Sequence, residues 1–170
     1  MPEEQKQEAP QDTAPLGSQL KYPLDVDSKG IIDRVISTFK WTRTNMKNVV
    51  RVIEIPTFAI DATVTTGDGK KIYNIPEELD GTLIIAAHAF LTTVSSSGAL
   101  TIQVRNITDS VDVLTTAITI DASEFDSYTA AIPPLINFVN AQLAKSDRIA
   151  IDVDGAGTGA MGLTVKLTVQ

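Results

Sequence analysis

The sequence lacks cysteine altogether and contains a single histidine, His88. Without thiols there is no disulfide, no cysteine nucleophile and no thiolate metal site, and one histidine alone disfavours a zinc site. Aromatic residues make up only 5% of the chain. The core must therefore come mainly from Val, Ile, Leu and Ala, and the shortage of aromatic rings argues against a sugar-binding groove.

Basic residues are outnumbered by acidic ones, 14 to 21, which gives a formal net charge of -7. Such a surface repels phosphate, so we expect no nucleic-acid partner. The apolar runs are too short to cross a bilayer, and the acidic, polar start has no apolar stretch, so we expect neither a membrane partner nor a signal peptide. This predicts synthesis in the cytoplasm, and 170 residues suit one domain with a tail.

Residues 1–18 are rich in Pro, Glu and Gln and offer almost nothing to bury. A segment of this composition cannot offset its ordering entropy by itself. We therefore predict a flexible N-terminal arm over residues 1–18, which becomes ordered by lying along a neighbouring subunit.

Residues 19–48 fit two local structures. Asp27 and Ser28 are suited to capping a helix with apolar residues at helical spacing, while the same residues also fit an irregular strand that ends at Trp41. We interpret this segment as a partly extended connection that anchors the arm to the body.

The arm and the connection hold the residues that we predict to bind a partner. Trp and Arg often dominate the energetics of protein interfaces, although Trp41 fits ordinary core packing equally well. The candidate partner-binding residues are Leu16, Leu20, Tyr22, Trp41, Arg43 and Lys47.

From residue 49 onwards the pattern is that of a β protein. Residues 83–91 are nearly continuous apolar sequence, which predicts a central strand buried on both faces. Glycines in residues 66–70 predict a turn, and Pro134 predicts the first turn of a short helix over residues 134–143. The pattern does not alternate strands with long helices, which disfavours a doubly wound α/β fold. Strands are predicted around residues 50–55, 58–64, 72–75, 83–91, 100–106, 111–120, 149–153 and 163–169.

These short strands, separated by turn signals, predict an all-β fold. The fold class is an antiparallel β-sandwich or jelly roll over residues 49–170, with the extended N-terminal arm outside it. The last strand ends almost at the final residue and alternates cleanly, so we expect it to pair inside a sheet.

The segment Gly157–Gly162 matches the G-x-G-x-x-G pattern of dinucleotide-binding loops and follows a predicted strand. That motif works by placing pyrophosphate at the N-terminus of a following helix. Here the few residues that follow alternate as a strand. The pattern therefore indicates a glycine-rich hairpin loop, and we predict no cofactor.

Two acidic groups invite a metal-binding interpretation. The run Asp152–Gly155 begins like a calcium loop, but Ala156 stands where the next ligand is required. The second group is typical of a solvated loop, with a weak hard-cation site as the alternative. It consists of Asp121, Glu124 and Asp126.

His88 lies inside a predicted buried strand, where a histidine bonded to backbone is the ordinary interpretation. A general base needs a nucleophile and an orienting acid beside it, and no G-x-S-x-G nucleophile elbow is present. We predict no catalytic residue, no metal ligand and no enzyme activity.

Six runs carry a likeness to a known group. They are Leu20–Asp25, Ile102–Thr108, Asp112–Thr116, Ile118–Asp121, Arg148–Asp154 and Gly162–Val165. In order and in strand pattern, these runs resemble the jelly-roll virion structural proteins of tailed bacteriophages, a group with capsid cement, head-fibre and tail components.

The resemblance implies a virion structural protein without choosing among these components. Among them we predict a cement or decoration protein that stabilises the phage head by bridging major capsid proteins. We further expect self-association as a homotrimer and a location on the capsid exterior after synthesis in the host cytoplasm. One alternative is a receptor-binding or structural module of a head fibre or tail. Another, from a different class, is a β-sandwich enzyme or carbohydrate-binding domain.

Overall fold

The computed structural model describes residue 30, residues 33–38 and residues 49–170. The chain divides into two compact units, Met1–Thr44 and Asn45–Gln170. In the first unit, residues 33–38 are helical, which confirms the helical alternative there. The proposed caps Asp27 and Ser28 lie outside the described residues.

The described part of the second unit is built from short strands and one 3-10 turn, Glu77–Leu79. Its strands are β1 (Arg51–Pro56), β2 (Gly67–Asn74), β3 (Ile84–Phe90), β4 (Leu100–Asn106), β5 (Val111–Asp112), β6 (Leu114–Thr116), β7 (Ile118–Ile120), β8 (Leu135–Ile136), β9 (Arg148–Ala156) and β10 (Thr164–Val169). None of the helices in the described residues is long and apolar enough to cross a membrane.

The strands form antiparallel sheets. The first sheet has the order β1-β10-β3, the second has the order β2-β9-β4-β5 with β7 also on β4, and β6 pairs with β8. Buried side chains from both larger sheets form one hydrophobic cluster. The predicted all-β, antiparallel sandwich is therefore confirmed.

Strand β10 shows how the sequence produces this arrangement. Val165, Leu167 and Val169 are buried, whereas the residues between them are partly exposed, because successive side chains of a strand point to opposite faces. Strand β10 pairs with β1 on one side and β3 on the other. The prediction that the last strand pairs inside a sheet is confirmed.

The predicted strand over residues 83–91 exists as β3, but it does not occupy the centre of its sheet. Strand β10 is central, and the far edge of β3 meets the rest of the chain through separate bridges. One face of β3 is buried and the other is half-buried. Partial burial of the outer face explains why apolar residues occur on both faces of the strand.

The predicted strand over residues 58–64 is wrong. The amides of Thr57 and Phe58 both donate to the Leu163 carbonyl, and Ala62 N–H donates to Ala59 O, which turns the chain. Ile60 is consequently 74% exposed. The alternating pattern there is real, but local turns override it.

The predicted helix over residues 134–143 is also wrong. Leu135 and Ile136 form β8, which pairs with Leu114 and Thr116 of β6, and a turn follows. Two consecutive prolines precede β8 and favour extended backbone before it. Pairing with β6 satisfies backbone groups that a helix would otherwise satisfy internally.

Two further predictions are correct only in part. The predicted turn over residues 66–70 lies inside β2, where Gly67 (φ 137°) and Gly69 (φ 59°) accompany a register shift opposite β9. The predicted strand over residues 111–120 is divided into β5, β6 and β7. Both segments pair as strands, but with irregularities that the apolar pattern does not encode.

Candidate binding surface

After β7 the chain crosses to the edge of β3 in the first sheet, leaves that edge, and returns to it further along. Ser127 N–H donates to the Ala89 carbonyl at 3.0 Å at one end of β3, and Ile84 N–H donates to the Ala141 carbonyl at 2.9 Å at the other end. We call residues 128–140, between these two attachments, the excursion.

Hydrogen bonds to residues 112–119, which include parts of β5 to β7, hold the excursion in place along its length. Thr119 Oγ1 donates to the Ile132 carbonyl at 3.1 Å, and Asn137 N–H donates to the Val113 carbonyl at 2.8 Å. Asn140 Nδ2 donates to the Asp112 carbonyl at 3.0 Å. The excursion is therefore held to the body at its start, middle and end.

The acidic group that precedes the excursion anchors it rather than forming an open loop. Each of its three carboxylates accepts a hydrogen bond from a residue shortly after it: Asp121 Oδ2 from Ala131 N–H at 3.1 Å, Glu124 Oε2 from Thr129 Oγ1 at 2.7 Å, and Asp126 Oδ1 from Tyr128 N–H at 2.9 Å.

The excursion carries large apolar side chains that the body does not cover. Val139 is 90% exposed, Tyr128 69% and Phe138 59%. Ile132 and Leu135 are exposed as well, while Ile136 turns into the core. Clusters of exposed apolar side chains on a soluble protein typically mark interaction sites.

This surface also lacks charge. No Asp, Glu, Lys, Arg or His occurs between Asp126 and Lys145. Missing charge is ordinary at buried positions, but most of the excursion is exposed. Depletion of charge together with exposed aromatic residues is characteristic of the central part of a protein interface.

The outer face of the first sheet adjoins the start of the excursion. His88 on β3 stacks on Tyr128, with ring centroids 4.2 Å apart. Next to it, Lys166 Nζ lies 3.0 Å from Glu54 Oε1 and 4.9 Å from the centroid of the Phe90 ring. The face therefore combines an ion pair with aromatic contacts.

Burial lowers the pKa of His88, and the nearby carboxylate of Asp126 opposes this by raising it. Its Nδ1 atom is buried and has no hydrogen-bond partner among the described residues. His88 is thus placed as a packed histidine beside Tyr128, without the backbone bond that the sequence suggested.

A cleft of about 470 Å³ lies beside the end of the excursion and is lined by Val139, Asp80, Asp109 and Asp147 among others. Asn106 Nδ2 donates to both Asp109 Oδ2 and Asp147 Oδ2, each at 3.0 Å. Asp147 Oδ2 also accepts from Ala144 N–H at 2.8 Å. These carboxylates hold loops together.

The part of the chain that the structure describes contains no group of three or more His, Cys, Asp or Glu residues that could hold a metal ion. Asp152, the start of the calcium-like run, lies in β9 and accepts a hydrogen bond from Gly69 N–H. Its carboxylate therefore pairs two strands.

The glycine motif forms a connection between strands, but the predicted hairpin is wrong, because β9 and β10 lie in different sheets and do not pair with each other. Gly157–Gly162 joins β9 to β10, and β10 follows directly as a strand. No helix begins after these glycines, so the geometry that binds pyrophosphate is not formed here.

The residues predicted to bind a partner all lie outside the described residues. They are Leu16, Leu20, Tyr22, Trp41, Arg43 and Lys47. The excursion was not predicted from the sequence, although a signal for it exists. A long uncharged stretch with prolines and scattered aromatic residues suits neither a solvated loop nor a regular strand.

Comparisons with protein-family models, with curated proteins and with solved structures find no match to this chain.

Proposed function

We propose that the protein is a non-enzymatic structural component of a tailed-phage head, a cement or decoration protein that bridges major capsid proteins on the capsid exterior. The observation that carries this proposal is the exposed, uncharged excursion on a well-packed β-sandwich. Val139 and Phe138 are displayed by a segment that hydrogen bonds hold in place, which is the organisation of a preformed protein-binding surface.

The strand order supports the jelly-roll part of the proposal. The first and last strands, β1 and β10, share one sheet, while β2 and β9 share the other. Strands β3 and β4 are likewise divided between the two sheets. A jelly roll winds its chain in this alternating manner, and the attachments of residues 127 and 141 beside β3 stand where a further strand of the first sheet would lie.

The runs that resemble phage virion proteins fall on regular elements of the body. Ile102–Thr108 begins in β4 and Arg148–Asp154 lies in β9, and these two strands are neighbours in the second sheet. Leu20–Asp25 lies outside the described residues. Two of the runs that carry the resemblance therefore lie on core strands that pair with each other, which favours a shared architecture.

The cleft beside the excursion favours a structural role over catalysis. Asn106 links the carboxylates of Asp109 and Asp147, and Asp147 also fixes the Ala144 amide. A retaining or inverting glycosidase needs two carboxyl groups free to face the substrate. Here, the carboxyl groups of Asp109 and Asp147 are joined through the Asn106 amide.

The mechanism of a cement protein is mechanical. A protein that binds the assembled shell but not free subunits stabilises the shell by mass action. Many copies on a symmetric lattice add their effects, so each contact can be modest. An acidic surface, with a net charge of -7, suits the exterior of a particle that contains DNA.

The test is co-sedimentation of the purified protein with phage capsids that lack it. Full-length protein is compared with a version that starts at Gln19, which removes the predicted arm. We expect saturable binding that weakens without residues 1–18. Failure of both forms to bind capsids, with binding to host cells instead, would support the head-fibre or tail alternative.

A further inference from the structure

We propose that the outer face of the second sheet binds carboxylates of a protein partner through the guanidinium groups of Arg105 and Arg148. The partner segment that fits is extended and carries Glu or Asp at every second position. The site uses residues of β4 and β9 and none of the excursion, and its binding does not depend on the cement role.

Arg105 and Arg148 lie side by side on one face of the second sheet. Arg105 of β4 stands directly opposite Ala150 of β9, and Arg148 precedes Ala150 by two residues. Directly opposed residues, and residues two apart in one strand, point to the same face. The two arginines are therefore diagonal neighbours, about 7–8 Å apart along the sheet. The opposed pair Val104 and Ile151 belongs to the core cluster, so the arginines lie on the outer face.

The guanidinium groups of both arginines are without a partner. Among the described residues, the side chains of Arg105 and Arg148 make no hydrogen bond and no ion pair, and Nε of Arg105 is buried in that state. A buried donor without an acceptor costs free energy. The chain has 21 acidic residues and 14 basic ones, so two neighbouring arginines without a carboxylate require an explanation. A carboxylate supplied by a partner is such an explanation.

The side chain of Arg105 is held against the sheet. Ala150 is only 1% exposed although it lies on the outer face, so the longer side chains around it cover it. Arg105 is half-buried and its Nε is covered, whereas its two terminal nitrogens remain accessible to solvent. A guanidinium group restrained in this way loses little side-chain entropy when it binds an anion.

The nearest carboxylates on this face flank the arginine pair and do not lie between its members. Asp112 stands opposite Arg105, but it lies on β5, on the side of β4 away from β9, and the two side chains form no ion pair. Asp152 accepts a hydrogen bond from Gly69 N–H of β2, on the side of β9 away from β4. The gap between the two guanidinium groups therefore holds no carboxylate of the described chain.

The surroundings of the two arginines favour carboxylates over the phosphates of a nucleic acid. Arginine binds both anions through two parallel N–H···O bonds. A nucleic acid, however, extends its row of charges over the flanking Asp112 and Asp152 and over a chain with a net charge of -7, which repels it. A short protein segment can place carboxylates at the arginines alone. Alternate side chains of an extended segment are about 6.6 Å apart, which matches the diagonal spacing of the two arginines.

The test is fluorescence anisotropy of a labelled peptide, in which Glu and Ser alternate over about six residues, mixed with the full-length chain without capsids. The same peptide with Gln in place of Glu is the ligand control. We expect saturable binding of the Glu peptide with a dissociation constant on the order of 100 µM, about tenfold or more below that of the Gln peptide.

Substitution of either arginine should weaken binding of the Glu peptide. We expect a loss of about tenfold for Arg148→Gln, because charge-assisted hydrogen bonds disappear, and a loss in the same direction for Arg105→Gln. Arg105→Lys should keep only part of the affinity, since lysine retains the charge without the planar fork. Arg148 is exposed, so its replacement leaves the fold intact, which circular dichroism verifies.

Arg51→Gln is the matched control, since it removes the same positive charge from the chain. Arg51 lies on β1 of the first sheet, and its Nη1 already donates to the Glu78 carbonyl at 2.9 Å. This variant should bind the Glu peptide like the natural chain. An equal loss of affinity for Arg51→Gln and Arg148→Gln would show that binding follows net charge alone, and would overturn the inference.

Two further results would also overturn it. One is a Glu peptide that binds no better than the Gln peptide up to about 1 mM. The other is a short single-stranded oligothymidylate that binds more tightly than the Glu peptide, which would make this a phosphate site. A chain that binds the Glu peptide through Arg148 but does not bind capsids would support this site and contradict the cement role, so the two proposals can fail separately.

Discussion

His88 and Tyr128 stack with their ring centroids 4.2 Å apart and an interplanar angle of 28°. The contact joins β3 of the first sheet to the first residue of the excursion, so the position of Tyr128 depends on the only histidine in the chain. Burial lowers the pKa of His88, while Asp126 raises it in part. The pairing consequently links the packing of the excursion to pH.

Stability should fall on acidification through His88. Its pKa is lower in the folded chain than the ordinary value of about 6.5, so the unfolded chain binds the proton more readily. The contribution to the free energy of unfolding is complete above that value and is lost as pH falls through the window down to the lowered folded pKa. Thermal melts at a series of pH values measure this loss.

The control for this prediction is His88→Gln, which keeps a polar side chain that does not titrate. The difference between the two proteins in how melting temperature changes with pH gives the effect of His88 alone. It separates that effect from those of Asp126, Glu54 and Lys166, the charged groups around it. An identical loss of melting temperature in both proteins between about pH 8 and about pH 5 would contradict a role for His88 protonation.

Leu167→Asp should unfold the body. Leu167 is 1% exposed at the centre of β10, and a carboxylate placed there is buried without a partner. The milder Leu167→Ala should lower the free energy of unfolding by about 2–5 kcal/mol. Val52→Asp, on the exposed face of neighbouring β1, is the control and should stay folded in urea titrations. A folded, soluble Leu167→Asp protein would refute the assigned strand phase.

The regular strands could be predicted because their information is local. In β10 and β4 the alternation of apolar and polar residues matches the burial that the structure shows. Residues 58–64 alternate equally well, yet they turn, because the amides of Thr57 and Phe58 bond to Leu163 far along the chain. Pattern alone cannot reveal a competing partner at that distance in sequence.

The excursion could not be predicted for a related reason. Its path depends on side-chain bonds from Thr119 and Asn140 to backbone carbonyls, and such pairs leave no periodic trace. Pro134 fits the first turn of a helix as well as it fits the residue before β8. The lack of charge between Asp126 and Lys145 was visible, but only burial shows that this stretch is exposed.

Asn106→Ala should destabilise the body because one amide joins two carboxylates. Asn106 is 1% exposed, and its Nδ2 donates to Asp109 and to the buried Asp147. Leaving a buried acceptor without its donor costs about 1–3 kcal/mol. Asn106→Asp should cost more, since it adds a third carboxylate. Urea titrations measure both losses, and Asn74→Ala on the exposed face of β2 should stay within about 0.5 kcal/mol. Equal losses for Asn106→Ala and Asn74→Ala would contradict the bridging role.

Two glycines of the loop between β9 and β10 should respond differently to alanine. Gly162 (φ 68°) and Gly159 (φ 75°) both have left-handed backbone, which costs a residue with a Cβ about 1–2 kcal/mol. At Gly162 the added Cβ would also collide with Thr92 Oγ1 and would lie 2.8 Å from the Ile60 carbonyl, whereas at Gly159 nothing lies within 4 Å. We expect Gly162→Ala to lower the melting temperature clearly more than Gly159→Ala does. Equal losses would mean that the loop relaxes freely, and that close packing against Thr92 does not fix the start of β10.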